Sequence, residues 1–227
     1  MNEDIGHALR RARLDRGLPL REVASAVGIS TSLLSQVENG KSQPSVRTLF
    51  ALASTLSVSL DDLVDNGYAT DEPAPSQHTV REGSDDAAGI QRSADNPVIE
   101  MEHGVRWEQL AGHAENGLQS LHVTYAAKAS SSPEGRSMVH HGHEFVYMLS
   151  GTLRLKLEFG EHELHAGDSL CFNSMRPHRY YNPTDTPAVG IWLMFDPESA
   201  DGVAPRPGRG GPHGTSWDTV QNPTPPA

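Results

Sequence analysis

Gly28-Ile29-Ser30 interrupts two apolar-striped segments, and this short break constrains the chain more than any other feature. Before it, Leu20, Val23, Ala24 and Val27 recur at the spacing of one helix face. After it, residues 31–39 carry Leu34 and Val37 inward and the small polar groups Thr31, Ser32 and Ser35 at one end. Gly28 suits a left-handed turn position, and Ser30 can cap the helix that follows. The pattern is two short helices joined by a three-residue turn.

Such a pair is the signature of a helix-turn-helix DNA reader. Its surroundings are helical as well. Ile5, Leu9 and Ala12 give a first helix ending near Arg16-Gly17, and Pro19 stands where a first helical turn tolerates it. Asn39-Gly40 ends the third helix. Ser45 can cap a fourth that carries Leu49, Leu52, Ala53 and Leu56. Ser59 and Asp62 resemble a capping box for a short fifth helix with Leu60 and Leu63. The expected DNA-binding domain is therefore a five-helix bundle over residues 1–65.

A formal charge of −11 taken as a whole opposes DNA binding, but its distribution decides the matter. Residues 1–66 hold seven Arg or Lys against eight Asp or Glu, whereas the remainder holds eleven against twenty-one. Arg10, Arg11, Arg13, Arg16, Arg21, Lys41 and Arg47 remain free to face phosphate. No apolar run approaches the roughly 18 residues of a membrane span, and the N-terminus is acidic where a signal peptide is basic. Cys171 stands alone, so a cytoplasmic location without disulfides is expected, with that thiol buried and inert in a strand.

Residues 66–97 lose periodicity and become acidic and Pro-containing, which reads as a flexible linker. Residues 199–227 read as a disordered Pro/Gly-rich tail. Between them, within 98–198, strands are expected at 98–102, 105–110, 118–126, 136–140, 144–149, 153–159, 162–165, 169–172, 178–181 and 188–195. Many short strands separated by turns such as Ala166-Gly167-Asp168 imply a sandwich or barrel.

Histidines concentrate at His140, His141 and His143, beside Glu144, with His178 later. On one straight strand His140 and Glu144 would stand roughly 13 Å apart, too far for a shared ion. They converge only if the chain reverses at His141-Gly142-His143. Two His and one carboxylate from converging strands then form a facial set for a divalent metal such as Fe, Zn, Mn or Ni. His141 and His143 read as solvent-facing turn residues, and His162 and His165 as ordinary polar strand residues. Tyr125, Tyr147, Trp107 and Trp192 line a pocket or pack the core.

Residues 138–182 resemble a cupin, a double-stranded β-helix barrel. His140, Glu144 and Gly151 keep the spacing of its first motif, while Gly167-Asp168, His178 and Asn182 match its second. Met138 replaces the leading His of the first motif, so at most three of four ligand positions are filled, and His165 stands where Pro is usual. The resemblance leaves open a metal site at His140, Glu144 and His178, a metal-free effector pocket with Met138, Tyr125, Tyr147 and Trp192 in its wall, or a purely structural barrel.

Residues 5–65 are similar to the XRE (Cro/repressor-type) helix-turn-helix family, most closely over residues 28–41 and Pro44-Ser45. That resemblance puts Thr31, Ser32, Ser35 and Gln36 in the major groove, with Gln36 able to bond adenine bidentately. It leaves Lys41, Arg47, Arg16 and Arg21 to phosphate. Together the two resemblances imply a non-enzymatic transcriptional regulator, a homodimer on a double-stranded operator, sensing a small-molecule effector. The alternative is an iron-dependent enzyme similar to hydroxypropylphosphonate epoxidase, in which the same bundle is vestigial.

Overall fold

The computed structural model describes residues 3–58, 63, 90–111, 118–132 and 135–195. Four helices open the chain: α1 (Glu3–Asp15), α2 (Leu20–Val27), α3 (Thr31–Glu38) and α4 (Val46–Leu56). Their ends follow from local chemistry. Pro19 is extended and stops short of α2, and Gly28 closes α2 in the left-handed region at φ 74°. The Ser30 and Ser45 side chains accept from the Leu33 and Thr48 amides, quieting donors that the first turns of α3 and α4 leave open. The expected fifth helix falls outside the described residues except at Leu63, which is helical and buried.

The bundle closes over Leu9, Val23, Leu34, Val37, Leu49, Leu52 and Leu56, all essentially inaccessible. Burying each leucine contributes about 1.5–3 kcal/mol. One charged pair lies within this core. Arg13 Nε and Nη2 donate to Glu38 Oε1 and Oε2 at 2.6 and 2.7 Å, and Nη1 donates to the Leu18 carbonyl at 3.0 Å. The hydrogen bond to Glu38 raises the Arg13 pKa further above its ordinary value. One expectation is corrected here: Arg13 does not face phosphate, because its guanidinium is buried against Glu38.

The second half is all β: β1 (Val98–Glu100), β2 (Val105–Gln109), β3 (Leu118–Tyr125), β4 (His143–Ser150), β5 (Thr152–Leu157), β6 (Gly160–His165), β7 (Ser169–Asn173), β8 (His178–Tyr181) and β9 (Ala188–Phe195). Among the described residues they pair as a six-stranded sheet, β1-β2-β3-β9-β4-β7, and a three-stranded sheet, β6-β5-β8. Every pairing is antiparallel. The expected strand at 136–140 shrinks to one bridge, Met138 opposite His178, because the chain must turn at Gly142 before β4 begins.

Alternation along the strands sets what faces inward. On β4, Glu144, Val146 and Met148 are buried while Phe145, Tyr147 and Leu149 are exposed. On β7, Phe172 is buried, so its neighbour Cys171 is exposed rather than buried as expected. Gly151, between β4 and β5, has φ 75°, and a Cβ there would lie 2.4 Å from the Pro187 carbonyl oxygen. Only glycine fits that corner. Asn182, buried after β8, donates to the carbonyls of Tyr125, Ala126 and Thr186 and accepts from the Thr184 amide. It fastens the end of β8 to the end of β3.

Arg13→Ala leaves the Glu38 carboxylate buried and unpaired, and should lower bundle stability by about 3–5 kcal/mol in a urea titration of the full chain. A loss below about 1 kcal/mol would show that the pair carries little of the α1–α3 packing.

Candidate functional site

The start of α3 is open to solvent. Thr31, Ser32 and Gln36 are exposed and Ser35 is half-buried, its hydroxyl 3.4 Å from the Asn39 side-chain amide. Leu34 and Val37 point into the core, so the polar edge is held at a fixed angle. Lys41 and Arg21 are exposed nearby in sequence. Arg16 is exposed too, although its guanidinium donates back to the Ser57 carbonyl at 3.0 Å. Arg47 stands elsewhere, half-buried in the first turn of α4, where its backbone N–H donates to the Ser131 carbonyl of the β domain.

A second site lies between the two sheets. Its wall takes Trp107 from β2, Leu121, Val123 and Tyr125 from β3, Glu144 from β4, Tyr180 from β8, Trp192 and Met194 from β9, and Met138. Val46 and Phe50 of α4 complete it. The free space inside is about 10 Å³, room for about one water.

Glu144 of this wall also meets His140 and His178, the candidate donor atoms of the three lying within 4.8 Å of one another. The chain reverses at Gly142, whose φ of 94° suits glycine. Ser174 clamps the reversal on both sides: its carbonyl accepts from the His140 amide and its own amide donates to the Gly142 carbonyl. Glu144 Oε1 thus lies 2.7 Å from His140 Nε2 and 2.9 Å from His178 Nε2. The other carboxylate oxygen accepts from the Tyr180 hydroxyl at 2.9 Å.

The second nitrogen of each imidazole is engaged with backbone. His178 Nδ1 lies 2.8 Å from the Arg176 carbonyl and His140 Nδ1 3.1 Å from that of His141. A proton on each Nδ1 would leave both Nε2 lone pairs facing a carboxylate oxygen. His178 Nε2 is buried and, despite its 2.9 Å approach, has no aligned hydrogen-bond partner. Burial pushes the Glu144 carboxyl up, but the adjoining His140 and His178 outweigh it and bring it down to about 2. Burial and the Glu144 charge hold Tyr180 protonated, so its hydroxyl remains a donor.

Of the residues expected in the pocket wall, Met138, Tyr125 and Trp192 line the chamber, whereas Tyr147 is on the outer face of β4 and 42% exposed. Tyr147 is three residues from Glu144, an odd interval, so the two cannot share a strand face. His141 and His143 are exposed, as are His162 and His165 on β6. Tyr180, Val46 and Phe50 were not foreseen. Tyr180 is signalled by its even spacing from His178. The α4 pair is signalled by its i, i+4 spacing on a helix whose opposite side is already apolar.

A cupin-domain family model matches residues 121–194, and a helix-turn-helix model matches residues 9–63. The HTH-type transcriptional regulator PuuR of Escherichia coli is 26% identical over 178 residues, spanning 78% of this chain and 86% of PuuR. An uncharacterized HTH-type transcriptional regulator, y4dJ of Sinorhizobium fredii, is 39% identical over 64 residues, covering 28% of this chain and 83% of y4dJ. The crystal structure of an HTH_3 family transcriptional regulator from Vibrio cholerae shares the fold with a TM-score of 0.60 at 23% identity, over 86% of this chain and 97% of that one. The chain belongs to the HTH-type transcriptional regulators, a DNA-binding helix-turn-helix module followed by a cupin domain. Among the described residues no helix is long and apolar enough to cross a membrane.

Tyr180→Phe removes the donor to the buried Glu144 Oε2 and should cost about 1–3 kcal/mol, read as a lowered Tm with unchanged far-ultraviolet circular dichroism. An unchanged Tm would mean that another group satisfies that oxygen.

Proposed function

We propose that the protein works as a homodimer that reads a double-stranded operator through the start of α3. Its reading changes when a small molecule, held at or beside one divalent metal ion, enters the cupin chamber. The observation that carries the sensing half is the convergence of two imidazole nitrogens and one carboxylate oxygen beside a largely apolar cavity. For DNA reading, the support is the open polar edge of Thr31, Ser32 and Gln36, which the cupin domain leaves uncovered. Thr31, Ser32, Ser35 and Gln36 are assigned to base edges, and Lys41, Arg16 and Arg21 to phosphates. Arg47 joins them if the DNA reaches the junction of the two domains.

His140 Nε2, His178 Nε2 and Glu144 Oε1 are the groups that would hold the ion. Glu144 Oε1, at 2.7 and 2.9 Å from the two Nε2 atoms, brings these donors close enough that they could share one ion. Fe, Zn, Mn or Ni suits such a set; the Met138 thioether is a poor partner for hard ions. When bound, the ion offers an anchor for an oxygen or nitrogen atom of the effector. Tyr180 fixes the carboxylate and Ser174 fixes the turn, so this chain supplies orientation for both.

A second reading, an iron-dependent oxidase or epoxidase-like enzyme with a vestigial bundle, draws on the same His–Glu–His set. The open face of α3 favours the regulator. Pairing of two copies is supported by the apolar outer face of the large sheet, where Phe145, Tyr147 and Leu149 are exposed beside Val189, Ile191 and Leu193 of β9. Two bundles held by such a pair would address half-sites about 34 Å apart.

A gel shift on the DNA flanking its own gene separates the readings: selective duplex binding is expected, and iron-dependent turnover without it would establish the enzyme. Gln36→Ala should cost about 1–3 kcal/mol and relax preference at one base pair, whereas Lys41→Ala should weaken all sequences alike and flatten the salt slope by about one. A base profile unmoved by the first, or a salt slope unmoved by the second, removes that contact. Elemental analysis of chelator-free protein should find one equivalent of a divalent transition metal that His140→Ala abolishes. Metal-free protein that still answers its effector would leave the pocket without an ion.

A further inference from the structure

We infer that Phe50, a residue of the DNA-binding bundle, is a built-in occupant of the cupin chamber. It holds the place of a flat, aromatic ligand that must displace it to bind. The inference deepens the sensing role proposed above and rests on it. Phe50 projects from α4 into the chamber and lies on the His140 ring with centroids 4.2 Å apart and planes 4° from parallel. Its edge meets Trp107 with centroids at 5.9 Å and planes at 68°. Val46, one turn earlier on the same face, is buried in the same wall.

The chamber in this state admits about one water, far below the few hundred Å³ that a small-molecule site needs. An organic ligand therefore enters only when Phe50 leaves. The surface it would vacate sets the ligand's chemistry. It is a slot for a planar ring between the His140 face and Trp107, in a chamber whose wall includes Glu144. A small aromatic compound bearing one donor group matches that slot.

Displacing Phe50 moves more than a side chain. Two backbone hydrogen bonds join α4 and the segment before it to the β domain: the Arg47 N–H donates to Ser131 O at 3.2 Å, and the Glu102 N–H donates to Pro44 O at 3.0 Å. The ring, these two bonds and Val46 form one docking contact. The helix that carries them also packs against α1 and α2 of the DNA reader. Ligand entry thus acts on how the bundle is held, and its differential affinity for docked and undocked states is what shifts the balance.

The test uses the full chain and toluene, which is the phenylalanine side chain itself. Phe50→Ala should speed hydrogen exchange at the Arg47 and Glu102 amides at least tenfold, with amides of β3 and β9 unchanged. Toluene should bind this variant at least tenfold more tightly than wild type and slow those two amides again. Phe50→Leu, which keeps apolar bulk without a flat ring, should stay docked and gain no toluene affinity. It serves as the folded comparison if the alanine variant is unstable. Unchanged exchange in Phe50→Ala, or equal toluene binding by wild type and variant, overturns the plug. Sensing is read apart from it: if toluene re-docks Phe50→Ala yet leaves its affinity for the flanking DNA unchanged, the plug stands and the sensing role falls.

Discussion

The contact between His140 and Glu144 exists because the chain turns back on itself within three residues, and much of the cupin domain's architecture serves that reversal. A carboxylate and an imidazole four residues apart on an extended strand never meet. Gly142 supplies the backbone conformation, Ser174 grips both sides of the turn, and β4 pairs with β7 and β9 in a register that drives Glu144 inward. His178 arrives from the other sheet through its bridge to Met138. Two sheets and one turn thus bring two imidazole nitrogens and a carboxylate oxygen together, on a frame whose apolar alternation does the positioning.

A good deal of this was legible before any coordinates. The helix-turn-helix could be read because its punctuation is local: Pro19, Gly28, Ser30 and Ser45 each act within a turn of where they stand. The triad could be read because the required geometry left a single solution, a reversal at Gly142. Strand positions followed from turn residues, and the one strand that failed, at 136–140, is the segment whose role is to bend.

What escaped the sequence was mostly a matter of which side a residue faces and what lies across a gap. Tyr147 and Cys171 are misplaced by reading composition where parity decides; each is an odd number of residues from an inward neighbour. Arg13 and Glu38 are far apart in sequence, and nothing local announces that they neutralise one another in the core. Phe50 was invisible for a different reason. Its partners, His140 and Trp107, belong to another domain, separated from it by a polar stretch that hides any relation between the two halves.

The carbonyl of Ser131 has a consequence for how the molecule can be divided. A helix begins with amide protons that its own turns cannot use, and in α4 one of them is completed by the cupin domain rather than by the bundle. The terminus of that helix is finished only by a neighbour encoded some eighty residues downstream. An excised N-terminal fragment would keep its apolar interior and its two serine caps, yet start α4 with a frayed edge and an aromatic ring in water. Docking thus completes the start of α4, and the boundary between the helix-turn-helix and cupin domains runs through a helix rather than between two bodies.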